Sequence, residues 1–303
     1  MDGNAPRRAR SLAEFGEVMG RLFTPAEIGA GTESYRPRPS DVVITPYGKC
    51  GTTWLQQIFH TLRTRGDFDF DDISRVVPWI ETAKIAGVDL EGPQRAEPRG
   101  FKSHMPHDTI PKGARYIVSF RDPKDACVSM YRFMEGWFLE PGAVSMSEFA
   151  LNWIGRGAAK NDYWGHLQSW WAVRDDPSVL VLAYERMNAD PEAAIRQVAA
   201  FCGLPLDDEL LDLTLERSSL GFMLEHKDRF DDLLMRNASE ARCNLPPDSD
   251  SAKVRKGVSG GHKTELSAAI AQAIDDRWRE VVTPATGLAD YPALLAEIGR
   301  RGA

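Results

Sequence analysis

The 303-residue sequence has few cysteines, no surplus of positive charge and no long hydrophobic run. Its four cysteines form no CxxC pair, which argues against a disulfide framework and against a zinc site. Lys and Arg number 37 against 44 Asp and Glu, a net charge of −7, so the whole chain is not an electrostatic nucleic-acid binder. No stretch approaches the roughly 18 apolar residues that span a bilayer. We therefore expect no nucleic-acid partner and no transmembrane segment, and any anion site must be a local basic cluster.

The first residues carry Arg7, Arg8 and Arg10 without an apolar stretch behind them, which is not typical of a cleavable signal peptide. Together with the unpaired cysteines, this predicts a cytoplasmic location. A length of 303 residues allows one or two domains, and no linker or repeat interrupts the chain. We expect an N-terminal segment over residues 1–40 and one domain over residues 41–303.

Short apolar runs alternate with helix-forming stretches along this domain. Runs without polar alternation are typical of strands buried on both faces of a parallel sheet. Three such strands are predicted at Val42–Thr45, Arg115–Phe120 and Val179–Leu182. The sequence thus predicts an α/β fold with a central parallel sheet flanked by helices. Residues 227–263 are polar and lack clear periodicity, and we expect them to form a lid or a mobile loop.

The first chemical motif, Thr45 to Trp54, lies between a buried strand and a helix. A glycine-containing turn at this point aims backbone N–H groups and the positive end of the helix dipole at one spot. Lys49 adds a full charge, and Thr52 and Thr53 add hydroxyl donors. The lysine does not stand immediately before the hydroxyl residue, so this is not a Walker A loop. It is interpreted as a P-loop-like phosphate-binding turn, and the alternative is an ordinary joint with a surface lysine.

Two further basic stretches could hold a second phosphate. Arg121 to Ser129 again joins a strand to a helix, although Asp122 and Asp125 there could be simple helix caps. Arg255 to Gly261 places two cations before a flexible loop, and paired cations usually lie on a solvated surface. Neither stretch identifies a site by itself.

In combination, the three stretches resemble the sulfotransferases that use 3′-phosphoadenosine 5′-phosphosulfate (PAPS). Pro46 to Trp54 is similar to the family's YPKSGTTW loop, and Arg121 to Phe133 closely follows its RNPKDVAVSYYHF motif. Tyr184 to Met187 resembles the YEDM element, and Arg255 to Gly257 resembles the start of RKGxxGDWK. The resemblance extends, in order, from Val42 to Lys263.

The resemblance implies a PAPS-binding site, with PAP (adenosine 3′,5′-bisphosphate) as the product, and no metal. The residues that it assigns to the nucleotide are Lys49, Cys50, Gly51, Thr52, Thr53, Trp54, Arg121, Ser129, Tyr184, Ser218, Leu220, Arg255, Lys256 and Gly257. Leu220 stands where the family has a phenylalanine on the adenine, and Gly261-His262 replaces the Asp-Trp of the signature. The family's short dimer motif is degraded, so the oligomeric state stays open.

Phe101 to Pro106 looks like the family's KTHLP element at the end of a strand. If the strand continues, its period of two puts Lys102 and His104 on one face. Imidazole can take a proton from an acceptor hydroxyl near neutral pH, and His104 is therefore the predicted general base. Lys49 and Lys102 would stabilise charge on the sulfuryl and bridging oxygens.

The resemblance places the acceptor pocket at four large apolar side chains, which could equally be ordinary core: Trp79, Met134, Trp137 and Phe138. Such a pocket suits a small-molecule or lipid acceptor with a hydroxyl or an amine. Two alternatives remain, namely a P-loop kinase or NTPase and a catalytically silent nucleotide-binding module of the same fold. The misplaced lysine and the missing Mg²⁺ ligands disfavour the first, and the presence of Lys49, Lys102 and His104 disfavours the second.

Overall fold

The computed structural model describes residues 5–155, 162–247, 249–251, 253–255, 257 and 259–301. The strands found there are β1 (Val42–Ile44), β2 (Gly100–Lys102), β3 (Arg115–Phe120) and β4 (Val179–Ala183). The helices are α1 (Leu12–Leu22), α2 (Pro25–Ser34), α3 (Thr52–Thr64), α4 (Ile73–Val76), α5 (Ala83–Ala86), α6 (Pro123–Trp137), α7 (Met146–Gly155), α8 (Tyr163–Ala172), α9 (Tyr184–Ala189), α10 (Pro191–Cys202), α11 (Asp208–Arg217), α12 (Leu220–Glu225), α13 (Leu233–Cys243), α14 (His262–Glu265), α15 (Ala268–Arg277), α16 (Thr283–Thr286) and α17 (Tyr291–Arg301). A 3₁₀ helix, Lys227–Phe230, precedes α13, and a π-helical turn, Trp278–Val282, joins α15 to α16.

The four strands form one parallel sheet in the order β2-β1-β3-β4. Val42 pairs with Gly100 on one side and with Arg115 on the other, and Tyr116 pairs with Val179. Helices flank the sheet, as the alternation of apolar runs and helical stretches predicted, and the α/β fold class is confirmed. Because the strands are parallel, their carboxyl ends meet at one edge.

Apolar side chains on both faces explain why these short strands stay in the interior. Val43 and Phe101 pack into one core cluster, whereas Val42, Ile44 and Ile117 pack into a second. Successive residues of a strand point to opposite faces, so each strand supplies both clusters.

The helix that follows β3 begins where its sequence predicts. Asp122 caps α6 by accepting a hydrogen bond from the Lys124 backbone N–H at 2.8 Å, and Pro123 occupies the first helical position.

The structure differs from the sequence-based expectation after β2. The strand ends at Lys102, so its alternation does not extend to His104. Ser103 still donates its N–H to the Ile44 carbonyl oxygen of β1, and the backbone N–H of His104, on the opposite side of the chain, donates to the Glu81 carboxylate at 2.7 Å. The positions of Lys102 and His104 relative to each other are therefore fixed by a side-chain contact and not by strand periodicity.

The segment expected to lack regular structure, residues 227–263, contains the eleven-residue helix α13. This helix packs against α1, where the Cys243 thiol approaches the Val18 carbonyl oxygen, and against the end of α6. Whether the segment acts as a lid stays a prediction. Among the described residues, no helix has the length and apolar character needed to cross a membrane.

Candidate active site

A cavity of about 720 Å³ opens at the carboxyl edge of the sheet. Each strand contributes to it through residues that follow: Gly48, Lys49 and Gly51 after β1, His104 after β2, Arg121 after β3 and Tyr184 after β4. Ligands of parallel α/β sheets bind outside the carboxyl ends of the strands. The topology therefore brings together motifs that lie far apart in sequence.

The loop from β1 to α3 directs several hydrogen-bond donors into the cavity. Gly51, immediately before α3, has a φ of 98°, and a Cβ there would stand 3.2 Å from the Tyr184 ring, so the position requires glycine. No described side chain caps the first turn of this thirteen-residue helix, which leaves its N–H groups available. The Thr52 hydroxyl oxygen and the Trp54 indole nitrogen are also buried without a hydrogen-bond partner among the described residues. Buried donors of this kind are expected to meet a ligand.

Lys49 lies in the same loop with a left-handed backbone conformation, φ 69°. Its ammonium nitrogen stands 4.5 Å from the centre of the Phe133 ring, a cation–π contact. Burial lowers the pKa of Lys49 to about 7, and the positive charges of Lys253 and Arg121 act in the same direction. A bound anion would reverse this effect, since it favours the charged form.

Arg121 links the phosphate loop to the strands beside it. Its Nη1 donates to the Lys49 carbonyl oxygen at 2.9 Å, and its guanidinium lies 4.3 Å from the centre of the Tyr184 ring. A second, polar pocket of about 70 Å³ continues from this point between Ser129, Arg255 and Gly257. The structure thus places the second and third motifs side by side; Lys256 lies outside the described residues.

Both the backbone N–H and the imidazole ring of His104 form hydrogen bonds. Its Nδ1 lies 2.7 Å from the Pro46 carbonyl oxygen, which can only accept, so Nδ1 carries the proton and Nε2 keeps a lone pair. The Trp79 ring stands nearly perpendicular to the imidazole at 5.1 Å. Burial lowers the pKa of His104 to about 3, with the neighbouring charge of Lys102 adding to the effect. The ring is therefore neutral near pH 7, the form that accepts a proton.

Lys102 is buried beside this histidine. Its ammonium nitrogen lies 4.0 Å from the centre of the Trp79 ring and 3.7 Å from a carboxylate oxygen of Asp232. Burial lowers its pKa to about 8, although Asp232 opposes the shift. Both predicted catalytic lysines and the histidine line the same cavity.

All four predicted pocket residues line the cavity as apolar wall, namely Trp79, Met134, Trp137 and Phe138, and Trp79 also contacts Lys102 and His104. The Trp137 and Phe138 rings stack at 4.5 Å, and Trp137 donates from its indole nitrogen to the Ser239 hydroxyl at 2.9 Å. This bond ties the pocket wall to α13.

Most residues assigned to the nucleotide line the main cavity. Those found there are Lys49, Gly51, Thr52, Thr53, Trp54, Arg121, Ser129, Tyr184, Ser218, Leu220, Arg255 and Gly257. Cys50 does not line it: its backbone N–H donates to the Tyr47 carbonyl at 3.1 Å and its side chain is buried under the loop. The contacts of Cys50 therefore stabilise the conformation of the loop. Burial raises the pKa of its thiol to about 12, so the thiol is protonated near pH 7.

Sequence reasoning missed several lining residues. Met19, Phe23 and Ile28 belong to α1 and α2, within the N-terminal segment that was set apart from the domain. The spacing of Phe15, Val18 and Leu22 is an amphipathic signal that could have joined α1 to the core. The charged residues Glu81, Asp232 and Lys253 were also missed, and no motif marks them.

These features are those of an α/β protein whose cavity combines cationic side chains and available N–H groups with an apolar wall. No group of three or more metal-ligating side chains occurs in the described part of the chain. A sulfotransferase domain model matches residues 39–285. The chain therefore belongs to the sulfotransferase family, and the enzyme class predicted from the sequence is confirmed.

Curated relatives and solved structures agree with this assignment. Sulfotransferase 2A1 of Homo sapiens is 31% identical over 252 residues, 80% of this chain and 84% of that protein. Sulfotransferase 1B1 of Canis lupus familiaris is 27% identical over 277 residues, 88% of this chain and 91% of that protein.

Among solved structures, retinol dehydratase in a complex with retinol and PAP aligns with a TM-score of 0.69 at 18% identity, over 91% of this chain and 96% of that one. Mouse sulfotransferase SULT7A1 complexed with PAP aligns with a TM-score of 0.64 at 20% identity, over 86% and 90%. At these identities the structures show a shared fold.

Proposed function

We propose that this protein transfers a sulfuryl group from PAPS to the hydroxyl or amine of a small, largely apolar acceptor. The observation that carries the proposal is the convergence of Lys49, Lys102 and His104 in one cavity, between an uncapped helix N-terminus and an apolar pocket. Sulfuryl transfer as a class follows from the family; the donor, the acceptor and the residue roles are our proposal.

The donor site is supported by groups that have no hydrogen-bond partner within the described part of the chain. The buried Thr52 hydroxyl and Trp54 indole nitrogen, with the free N–H groups of α3, would receive the 5′-phosphosulfate end. The small polar pocket beside Arg121, Ser129 and Arg255 would receive the 3′-phosphate. Two solved structures with this fold hold PAP, which supports a site for that nucleotide here.

The chemistry would use the neutral imidazole and the two lysines. As the acceptor oxygen forms its bond to sulfur, the bond from sulfur to the 5′-phosphate oxygen breaks, and the acceptor proton passes to Nε2 of His104. Lys49 and Lys102 would stabilise the negative charge on the departing phosphate and on the sulfuryl oxygens. PAPS supplies an activated sulfuryl group, so no step requires a metal.

The acceptor is proposed from the walls of the apolar end. Trp79, Met134 and Trp137, with Met19 and Phe23 from the N-terminal helices, offer large and adaptable apolar surfaces. Retinol dehydratase has been solved with retinol and with androsterone, both apolar alcohols. A hydroxylated lipid-like molecule fits the same description here.

The deciding experiment is a thermal-shift titration with PAP, 5′-AMP, and ATP with Mg²⁺. A bound ligand stabilises the folded state according to its affinity. Charge-assisted hydrogen bonds contribute about 1.5–3 kcal/mol each, so loss of the 3′-phosphate should cost several kcal/mol. We expect PAP to raise the Tm well above the values measured with the other two ligands. A chelator should not change the Tm measured with PAP.

Arg255→Ala should reduce the preference for PAP over 5′-AMP, because Arg255 lines the small polar pocket. Arg196→Ala, an exposed arginine paired with Glu192 on α10, is the matched control and should keep the preference. Greater stabilisation by ATP with Mg²⁺ would favour a kinase, and no response to PAP would refute the proposal. A silent binding module would bind PAP but show no turnover with PAPS and any apolar alcohol.

A further inference from the structure

A buried group of two lysines and one aspartate forms part of the cavity wall, and no motif of the sequence marks two of its members. Asp232 and Lys253 both line the cavity, and their side chains are 3% and 8% exposed. One Asp232 carboxylate oxygen contacts the Lys253 ammonium, and the other lies 3.7 Å from Lys102 Nζ. A single carboxylate thus bridges a predicted catalytic lysine and a second lysine from a distant stretch of chain.

Asp232 is fixed in place by its surroundings. Its backbone is left-handed, φ 52°, at the start of α13, and the Ser74 hydroxyl donates to its Oδ1 at 3.3 Å. Lys102 and Lys253 hold the pKa of this carboxyl well below its usual range. A carboxylate buried between two cations stays charged and orients both of them.

Three lysines of the cavity have one carboxylate close to them. Among the described residues, Lys102 and Lys253 both pair with Asp232, and no ion pair is found for Lys49. Burial lowers the pKa of Lys49 to about 7 and that of Lys102 to about 8, which disfavours their charged forms in the free protein. An anionic ligand at this end of the cavity would stabilise the charged forms.

Lys253 lines both the main cavity and the small polar pocket, and the ion pair of its ammonium with Asp232 directs that ammonium toward the catalytic end. It contacts Asp232, which reaches Lys102, and its charge also acts on Lys49 and His104. Arg255, two residues further on, lines the small polar pocket with Arg121 and Ser129. One short stretch of chain thus supplies cations to both ends of the nucleotide site.

We infer that Lys253 binds the sulfonate end of the donor, as a further cation of the transfer site, and that Asp232 is the positioning residue that holds its ammonium beside Lys102. The inference rests on the proposed function. An ammonium has three N–H donors, so contact with Asp232 leaves donors for the sulfonate oxygens.

The first test compares the affinities of PAPS and PAP for Lys253→Met, a variant of similar length without the charge. PAP lacks the sulfonate, so the affinity for PAPS should fall about tenfold or more, and that for PAP by less than about threefold. Lys227→Met, an exposed lysine of the same segment, is the matched control and should change neither. Equal losses for both nucleotides, or no loss, would overturn the assignment to the sulfonate.

The second test measures kcat/KM for PAPS as a function of pH in two variants. The electrostatic account predicts that their pH profiles shift in opposite directions, which a merely structural defect would not produce. The charged groups that act on Lys49 are Lys253, Arg121, Asp232 and Arg255. Lys253→Met removes a positive neighbour, so the loss of activity at high pH should move to higher pH. Asp232→Asn removes the negative one, and the same loss should move to lower pH.

If Asp232→Asn does not fold, the double variant with Lys253→Met removes both charges and should restore folding and return the pH profile toward that of the wild type. Shifts in one common direction, or none, would refute the positioning role. Failure of the wild-type protein to bind PAP would instead refute the proposed function. The experiments therefore distinguish an error in the roles of Lys253 and Asp232 from an error in the proposed function.

Discussion

At the scale of single residues, the position of His104 depends on two hydrogen bonds to residues outside its own motif, one to a carboxylate and one to a backbone carbonyl oxygen. Glu81 accepts from its backbone N–H, and Pro46, in the phosphate loop, accepts from its Nδ1. The second contact fixes the tautomer and couples the proposed base to the loop that would hold the donor. A general base must be unprotonated before it reacts, and the low pKa of about 3 ensures this in the free protein. A bound anionic donor would raise this pKa toward the range in which imidazole is an effective base.

We expect His104→Ala to lower kcat by about a hundredfold or more, the usual contribution of a positioned general base. The PAP dissociation constant should change less than about threefold, because phosphate contacts lie on other residues. The measurement is steady-state turnover together with calorimetric binding of PAP. His107→Ala, a partly exposed histidine that does not line the main cavity, is the control. A variant that retains a tenth of kcat would contradict the assignment.

At the scale of helices and strands, the sequence predicted those elements that are determined by residues close together in the chain. Val42–Ile44 and Arg115–Phe120 are apolar on both faces, which only a buried parallel strand explains well. The start of α6 is indicated by Asp122 as its N-cap and by Pro123 at its first position. Since parallel strands end at one edge, the motifs that follow them had to meet.

The parts that sequence reasoning missed depend on contacts between distant segments. The helix α13 carries several polar residues, and it begins at Asp232 in a left-handed conformation without a side-chain cap among the described residues. Its placement comes from packing on α1 and α6, which no local pattern encodes. Lys253 and Asp232 acquire a role only through that packing, so composition and spacing could not mark them.

The bond between Trp137 and Ser239 should couple α13 to the acceptor pocket. Ser239→Ala leaves the buried Trp137 indole N–H without its partner, a loss of about 1–3 kcal/mol in the free energy of unfolding. We expect a lower Tm and a higher KM for an apolar acceptor, with little change in PAP affinity, measured by thermal denaturation and kinetics. Ser147→Ala, on the exposed side of α7, is the control. A change in PAP affinity alone would contradict this division of the cavity.

At the scale of the whole molecule, a chain with a net charge of −7 contains a cavity lined by lysines. Lys49 and Lys102 have pKa values of about 7 and about 8, against 10.5 in an exposed lysine. In the unfolded chain both would bind protons more tightly than in the free folded protein. Their burial therefore opposes folding most strongly below pH 7, and this cost disappears as the pH rises toward 10.5.

Nucleotide binding should show the opposite dependence on pH. An anion favours the charged lysines, so at pH 8 binding of PAP should take up protons, chiefly at Lys49 and partly at Lys102, and the affinity should fall between pH 7 and pH 9. His104 stays neutral over this range and contributes no proton. Calorimetry in buffers of different ionisation enthalpy measures the uptake directly. Lys49→Met should remove most of it, whereas Lys227→Met, at an exposed position, should leave it unchanged. Binding without proton uptake at pH 8 would mean that the lysines of the free protein are already charged, and the electrostatic account of the cavity would fail.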